Sequence, residues 1–146
     1  MSWFDCKIKY EKEVNQSGKM RKVSESYLLD AETFTDAEAR MAELMESRGP
    51  FIMDSVKKVR LYEVFLNDKG QYFFKAKVGF ISLDEKEGVE KKKYVQMLVQ
   101  ADDLDEALEI LHKRMADTMS DYVVASIAET AYMDVFPYEP RVAEEG

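Results

Sequence analysis

A chain of 146 residues, 46% hydrophobic and 34% charged, has the make-up of an ordinary folded domain and excludes a disordered or collagen-like protein. Nothing in it approaches the roughly 18 apolar residues of a membrane span, and the start Met1-Ser2-Trp3-Phe4-Asp5-Cys6-Lys7 lacks a basic segment leading into an apolar one, so the expectation is a cytoplasmic protein without a membrane partner. A formal net charge of -8 argues against wrapping duplex DNA, and a lone cysteine, Cys6, forms neither an internal disulfide nor a cysteine-based zinc site.

The first segment alternates, with Phe4, Cys6, Ile8 and Tyr10 on one side and Asp5, Lys7 and Lys9 on the other, which predicts a half-buried strand. Asn15-Gln16-Ser17-Gly18 supplies a turn with a glycine suited to positive φ, and the chain returns as a strand over roughly Lys19 to Leu29. Thr35-Asp36-Ala37-Glu38 reads as a capping box with Phe34 as its hydrophobic staple. The helix that follows carries an apolar stripe of Ala37, Met41, Leu44 and Met45 and stops at Gly49-Pro50. Ile52 to Leu66 reads as a long strand whose alternation slips near Lys57-Lys58, suggesting a bulge. Asn67-Asp68-Lys69-Gly70 then reads as a hairpin turn joining that strand to the next by antiparallel pairing.

The pattern then repeats. A shift of 70 positions lays Trp3-Phe4-Asp5-Cys6-Lys7-Ile8-Lys9-Tyr10 on Phe73-Phe74-Lys75-Ala76-Lys77-Val78-Gly79-Phe80, Gly18 on Gly88, Ala31 on Ala101, Phe34 on Leu104, Ala37 on Ala107 and Met45 on Met115. After one inserted residue a shift of 71 aligns Ser55-Val56 with Ser126-Ile127 and Glu63-Val64-Phe65 with Asp134-Val135-Phe136. The second copy has its turn at Asp84 to Gly88, its return strand over Val89 to Val99, Asp105 as the expected helix cap, a stripe of Leu104, Ala107, Leu108, Leu111 and Met115, and a last strand over Tyr122 to Phe136. The expected fold is therefore α+β: one domain, residues 1–146, made of two ββαβ units, 3–65 and 73–136, with a tail over 137–146. It has six main strands in antiparallel sheet, two helices packed on one side, and a pseudo-twofold arrangement of the units. A unit of about 65 residues alone buries too little surface to be comfortably stable, so the copies are expected to share a core. Charge divides unevenly: 3–65 holds 11 Lys and Arg against 12 Asp and Glu, and 73–136 holds 8 against 13.

Chemistry-bearing patterns are sparse. There is no phosphate-binding glycine loop, Gly-x-Ser-x-Gly elbow, His-Glu-x-x-His or Cys-x-x-Cys. His112, the only histidine, stands where the first copy has Ala42 and reads as a surface side chain; Cys6 stands where the second copy has Ala76 and reads as a small buried residue. Asp102, Asp103, Asp105 and Glu106 read as helix-start carboxylates rather than cation ligands. Asp84, Glu85, Glu87 and Glu90-Lys91-Lys92 read as a solvated hairpin tip rather than an acidic-x-Lys nuclease triad. No catalytic residue, metal ligand or cofactor is expected.

The pattern that recurs in both copies is a surface. Trp3, Lys7 and Lys9, with Phe73 and Lys77 in equivalent positions, and Arg60 and Lys75 nearby, place aromatics and cations on the outward sheet faces. Further bases, Arg21, Lys22, Lys57, Lys58 and Lys91-Lys92-Lys93, lie on neighbouring strands. The leading expectation is a non-catalytic binding module whose partner is a protein, with self-association into a homodimer as one form of it. The rival is a single-stranded nucleic-acid binder that stacks bases on Trp3 and Phe73 and neutralises phosphates with lysines. A more distant rival is a metal-dependent enzyme using Asp102 to Glu106.

Trp3 to Tyr10, Tyr27-Leu28-Leu29-Asp30-Ala31 with Phe34-Thr35-Asp36-Ala37-Glu38-Ala39, and Ala128-Glu129-Thr130 with Met133-Asp134-Val135-Phe136-Pro137 together resemble an uncharacterised family of short bacterial and bacteriophage proteins, a domain of unknown function. The resemblance covers nearly the whole chain. It implies no activity, cofactor or catalytic residue, only a small cytoplasmic protein, and a mobile-element origin would favour the nucleic-acid reading.

Overall fold

The computed structural model describes residues 1–138. These residues form an α+β structure with two helices and two four-stranded, mainly antiparallel sheets. The described residues divide into two compact units, 1–60 with 131–138, and Leu61–Thr130.

In the first unit β1 (Ser2–Val14) and β2 (Lys19–Ala31) form a long hairpin, with Val14 opposite Lys19. Gly18 (φ +79°), Asn15 (φ 53°) and Gln16 (φ 57°) provide the left-handed backbone that closes a four-residue loop. β3 (Ile52–Val59) pairs with the free edge of β1, and β8 (Tyr132–Phe136) lies along β2, giving the order β3-β1-β2-β8. Helix α1 (Phe34–Met45) covers one face. Ala37, Met41 and Met45 pack on Phe4, Cys6, Ile8, Tyr27, Leu29 and Ala31 to form the core. Fully burying each large side chain contributes roughly 1.5–3 kcal/mol.

The second unit has the order β4-β6-β5-β7. β5 (Tyr72–Asp84) and β6 (Val89–Ala101) form its hairpin, closed with Gly88 at φ +67°. β7 (Asp121–Glu129) pairs with β5, and β4 (Glu63–Phe65) with β6. Helix α2 (Leu104–Arg114) sets Ala107 and Leu111, with Met115 just beyond, on Phe65, Phe74, Ala76, Val78, Met97, Val99 and Ala101.

Several sequence expectations need correction. The described residues form eight strands rather than six, because each long last segment breaks in two: β3 stops at Val59 before β4, and β7 stops at Glu129 before β8. The register slip in β3 sits opposite Lys7/Ile8, where Asp54 is the extra residue, not near Lys57-Lys58. A matching slip in β7 opposite Lys77/Val78 leaves Ala125 over. β4 and β8 pair parallel, to β6 and β2. The cause is occupancy. β5 has β6 on one edge and β7 on the other, so the strand that turns into it at Asn67–Gly70 has to lie one place further out, across β6. Running antiparallel to β5, it comes out parallel to β6.

The turn is built for that step. Gln100 of β6 accepts from the Asn67 amide through Oε1 at 3.0 Å and donates from Nε2 to the Gly70 carbonyl at 2.8 Å. Gly70 has to be glycine, since a Cβ there would fall 2.6 Å from the Ala101 nitrogen. The caps also differ from expectation. Thr33, not Thr35, caps α1, its hydroxyl accepting from the Asp36 amide at 3.1 Å. Asp103, not Asp105, caps α2.

Each unit ties down one of its edge strands, the one paired parallel, with a helix arginine. Arg40 donates to the Asp30 carbonyl at 2.6 Å and to the Pro137 carbonyl, just past β8, at 2.8 Å. Arg114 donates to the Leu66 carbonyl, just past β4, at 3.2 Å. Phe136 stacks on Tyr27 with ring centroids 5.7 Å apart. The expected tail over 137–146 is described only as far as Tyr138; residues 139–146 lie outside the described part.

Candidate functional site

The seven residues singled out from the sequence divide between the two units, and each group lies on or beside the sheet face turned away from the helix. In the first unit β1 carries Trp3, Lys7 and Lys9 on that face. Trp3 is half-buried between Asp30 and Val59 on the neighbouring strands. Lys7 is exposed between Ser26 and Ser55. Lys9 pairs with Asp54 at 3.2 Å, and Arg60 is exposed just past β3. The face also holds an acceptor, Asp5 Oδ2, which takes a hydrogen bond from the Tyr132 hydroxyl at 3.0 Å. Burial, then the Asp5 charge, raise the Tyr132 pKa.

In the second unit Phe73 is only 3% exposed, so its ring offers no stacking surface. Lys75 is half-buried and Lys77 exposed. The aromatic that this face does present is Tyr94, 48% exposed. Its ring lies over Gly79, where a Cβ would fall 2.8 Å from Cε1, and Lys77 Nζ sits 4.7 Å from the ring centroid. An aromatic ring packed against a glycine, with an ammonium over it, is a preformed anchor. A signal for it is present in the sequence: Gly79 interrupts the outward face, and the hairpin register sets Tyr94 directly opposite.

A second constellation escaped the sequence reading. On the helix side of the first sheet Glu25, 9% exposed, accepts from Tyr10 Oη at 2.8 Å, Tyr27 Oη at 2.8 Å and Arg48 Nη2 at 3.2 Å. Arg48 Nη1 also donates to Tyr27 Oη at 2.8 Å. Desolvation, then the Glu25 hydrogen bond, push the Tyr27 phenol up to about 12; the Glu25 hydrogen bond raises Tyr10. The four residues are separated by up to 38 positions in the chain, and in β2 the Glu25 and Tyr27 spacing looks like ordinary strand alternation.

The residues with catalytic potential have structural partners. Cys6 is fully buried, and desolvation with the nearby Asp5 and Glu38 charges pushes its thiol up to about 12. His112 Nδ1 lies 2.7 Å from the Tyr122 hydroxyl on an exposed surface. Asp103 accepts from the Glu106 amide at 2.8 Å as the helix cap, while Glu106 reaches back past it and accepts from the Asp102 amide at 2.8 Å. Asp102 accepts from the Gln71 amide at 3.1 Å. Asp84 takes the Lys86 and Glu87 amides and pairs with Lys91 at 2.8 Å; that lysine, then the Glu87 amide, lower its pKa. Among the described residues no group of three or more His, Cys, Asp or Glu is placed to hold a metal ion, and no helix is long and apolar enough to cross a membrane.

No curated protein and no solved structure matches this chain. One family does match, over residues 2–138, nearly the whole chain and both sheets. The chain thus belongs to the family described as Domain of unknown function (DUF4494).

Proposed function

We propose that this protein is a non-catalytic interaction module of the bacterial or phage cytoplasm, and that it binds a partner protein, its own second copy included, through the outward face of the second sheet around Tyr94. The observation that carries this is the Tyr94 ring packed against Gly79 with Lys77 at 4.7 Å from its centroid. An aromatic fixed before binding loses little side-chain entropy on contact, and tyrosine is among the residues that most often anchor protein interfaces. Val123, 37% exposed and also opposite Gly79, adds apolar area beside it. Under the same reading the chain is a tandem duplication of a ββαβ unit in a pseudo-twofold arrangement. The equivalent strand orders β3-β1-β2-β8 and β7-β5-β6-β4 and the matching slips at Lys7/Ile8 and Lys77/Val78 support the duplication.

The test is a photo-crosslinking residue installed at Tyr94 and, as a control, at Met119, which is 99% exposed. The expected result is one discrete protein adduct or a crosslinked homodimer from position 94 and none from 119. Adducts of equal yield from both positions, or none, would overturn the proposal.

The nucleic-acid reading keeps one favourable observation, since a tyrosine with an adjacent lysine suits a base and its phosphate. It has lost the Phe73 platform to burial. Retention of labelled single-stranded oligonucleotide that weakens with salt and with Tyr94→Ala would restore it; no retention at low salt removes it.

A further inference from the structure

The helix side of the first sheet ends in a pocket of about 230 Å3 between β1, at Ile8, Tyr10 and Lys12, and the segment that leaves α1. Ile8, Met45 and Phe51 give it an apolar wall, Tyr10 closes one side, and Arg48 and Lys12 supply positive charge. We propose that this pocket binds a small carboxylate with an apolar body, one ring or branched chain, its carboxylate on Arg48 and Lys12. The inference goes beyond the Tyr94 face and does not depend on it.

Two observations carry it. The first is that Arg48 is preset. One Nη donates to Tyr27 Oη and the other to Glu25, while 46% of the side chain stays exposed. A guanidinium locked by a buried carboxylate and a phenol keeps donors free in a fixed plane, which is the geometry that recognises a planar carboxylate. Lys12 on the rim supplies the charge that Glu25 cancels on Arg48.

The second is that the fold does not need these polar groups. In the second sheet the same register positions are apolar. Ile8 faces Glu25 where Val78 faces Val95, Cys6 faces Tyr27 where Ala76 faces Met97, and Phe80 stands in the place of Tyr10. Replacing both partners of a buried hydrogen bond, such as the one from Tyr27 to Glu25, by apolar groups of the same shape can be nearly neutral or stabilising. A carboxylate, two phenols and a guanidinium held at the end of a core that closes without them in the second sheet are therefore best explained by what they hold in place.

Size selects the ligand. Pockets for drug-sized molecules run from about 300 Å3 upward, so this one admits a single ring or branched alkyl group. That chemistry is offered both by a free arylalkyl acid and by the C-terminal residue of a peptide.

The experiment is an amide-resonance titration of the full-length labelled chain with four probes: 3-phenylpropionate, 3-phenylpropionamide, the peptide Gly-Gly-Ala-Phe, and that peptide amidated at its C-terminus. Expected are saturable shifts at Lys12, Gly49 and Phe51 with the acids, and affinity at least about tenfold weaker for both amides. A free-carboxylate peptide that binds more tightly than the free acid assigns a chain terminus; the reverse order assigns a small acid. Lys12→Gln and Arg48→Gln should each lower acid affinity about tenfold without changing the second unit's spectrum. The triple variant Glu25→Val, Tyr27→Met and Arg48→Leu, which copies the apolar second sheet at two of its positions, should fold and lose the preference for acid over amide. Equal binding of acids and amides, no saturable shift at about 10 mM ligand, or an acid preference that survives Arg48→Gln overturns the proposal.

Discussion

The Tyr94 ring lies directly on Gly79, so close that a Cβ at residue 79 would fall 2.8 Å from Cε1. The contact is with an exposed side chain that can swing away. Gly79→Ala is therefore expected to change stability by no more than about 1 kcal/mol while separating Tyr94 from Lys77. The ring-induced upfield shift of the Lys77 side-chain protons reads this: it should be present in the native protein and lost in both Gly79→Ala and Tyr94→Phe/Gly79→Ala. A preserved shift in Gly79→Ala would mean that the glycine does not set the ring's position.

Gly70 presents the opposite case. Its missing Cβ faces backbone, 2.6 Å from the Ala101 nitrogen and 2.7 Å from its Cα, and backbone inside a paired strand cannot step aside. Gly70→Ala should cost more than about 2 kcal/mol, at least about twice the effect at Gly79. Urea denaturation of the two variants side by side measures the difference; equal midpoints would contradict it.

Burial and Glu25 hold the Tyr27 phenol at about 12, against 10.0 in an open environment. Between those values the unfolded chain loses a proton that the native chain keeps, so the contribution is fully present below pH 10 and is lost as pH rises towards 12. It amounts to something on the order of 2 kcal/mol. Denaturation midpoints should fall more steeply over that window for the native protein than for Tyr27→Phe. Identical pH profiles would show that Tyr27 is not the group responsible.

Ending the chain at Thr130 removes β8, and with it the buried Val135, the Phe136 stack on Tyr27 and the Arg40 bond to Pro137. The loss to the first unit should be roughly 3 kcal/mol or more. The second unit, Leu61–Thr130, keeps all its strands. Amide hydrogen exchange should therefore speed up across β1, β2 and β3 and stay slow across β5 and β6. Equal acceleration in both units would show that their stabilities are not separable.

The Cys6 thiol, fully buried and pushed up to about 12, should resist alkylation at neutral pH and react at the rate of a free thiol only once the first unit opens. Alkylation in native buffer as fast as in denaturant would place the thiol at a surface.

Much of the local structure is legible in the sequence because it is encoded by neighbours. The alternation of Phe4, Cys6 and Ile8 marks the buried face of β1, Gly18 and Gly88 take the positive φ that closes the two hairpins, and the spacing of Ala37, Met41 and Met45 gives the packed face of α1. The capping residues were displaced by two positions because Thr33 and Thr35, or Asp103 and Asp105, are equally good acceptors and only the chain direction entering the helix chooses between them.

Which sheet receives β4 and which receives β8 was decided only by tertiary structure. A three-residue strand such as Glu63–Phe65 carries no period of its own, and its place follows from both edges of β5 being taken. The same holds for the candidate sites. Phe73 shares its outward parity with the exposed Lys77 yet is buried, and Glu25 finds Tyr10, Tyr27 and Arg48 only after β1, β2 and the end of α1 have come together. Local periodicity specifies which way a side chain faces. What it meets there is a property of residues far apart in the chain, set by the packing of whole elements.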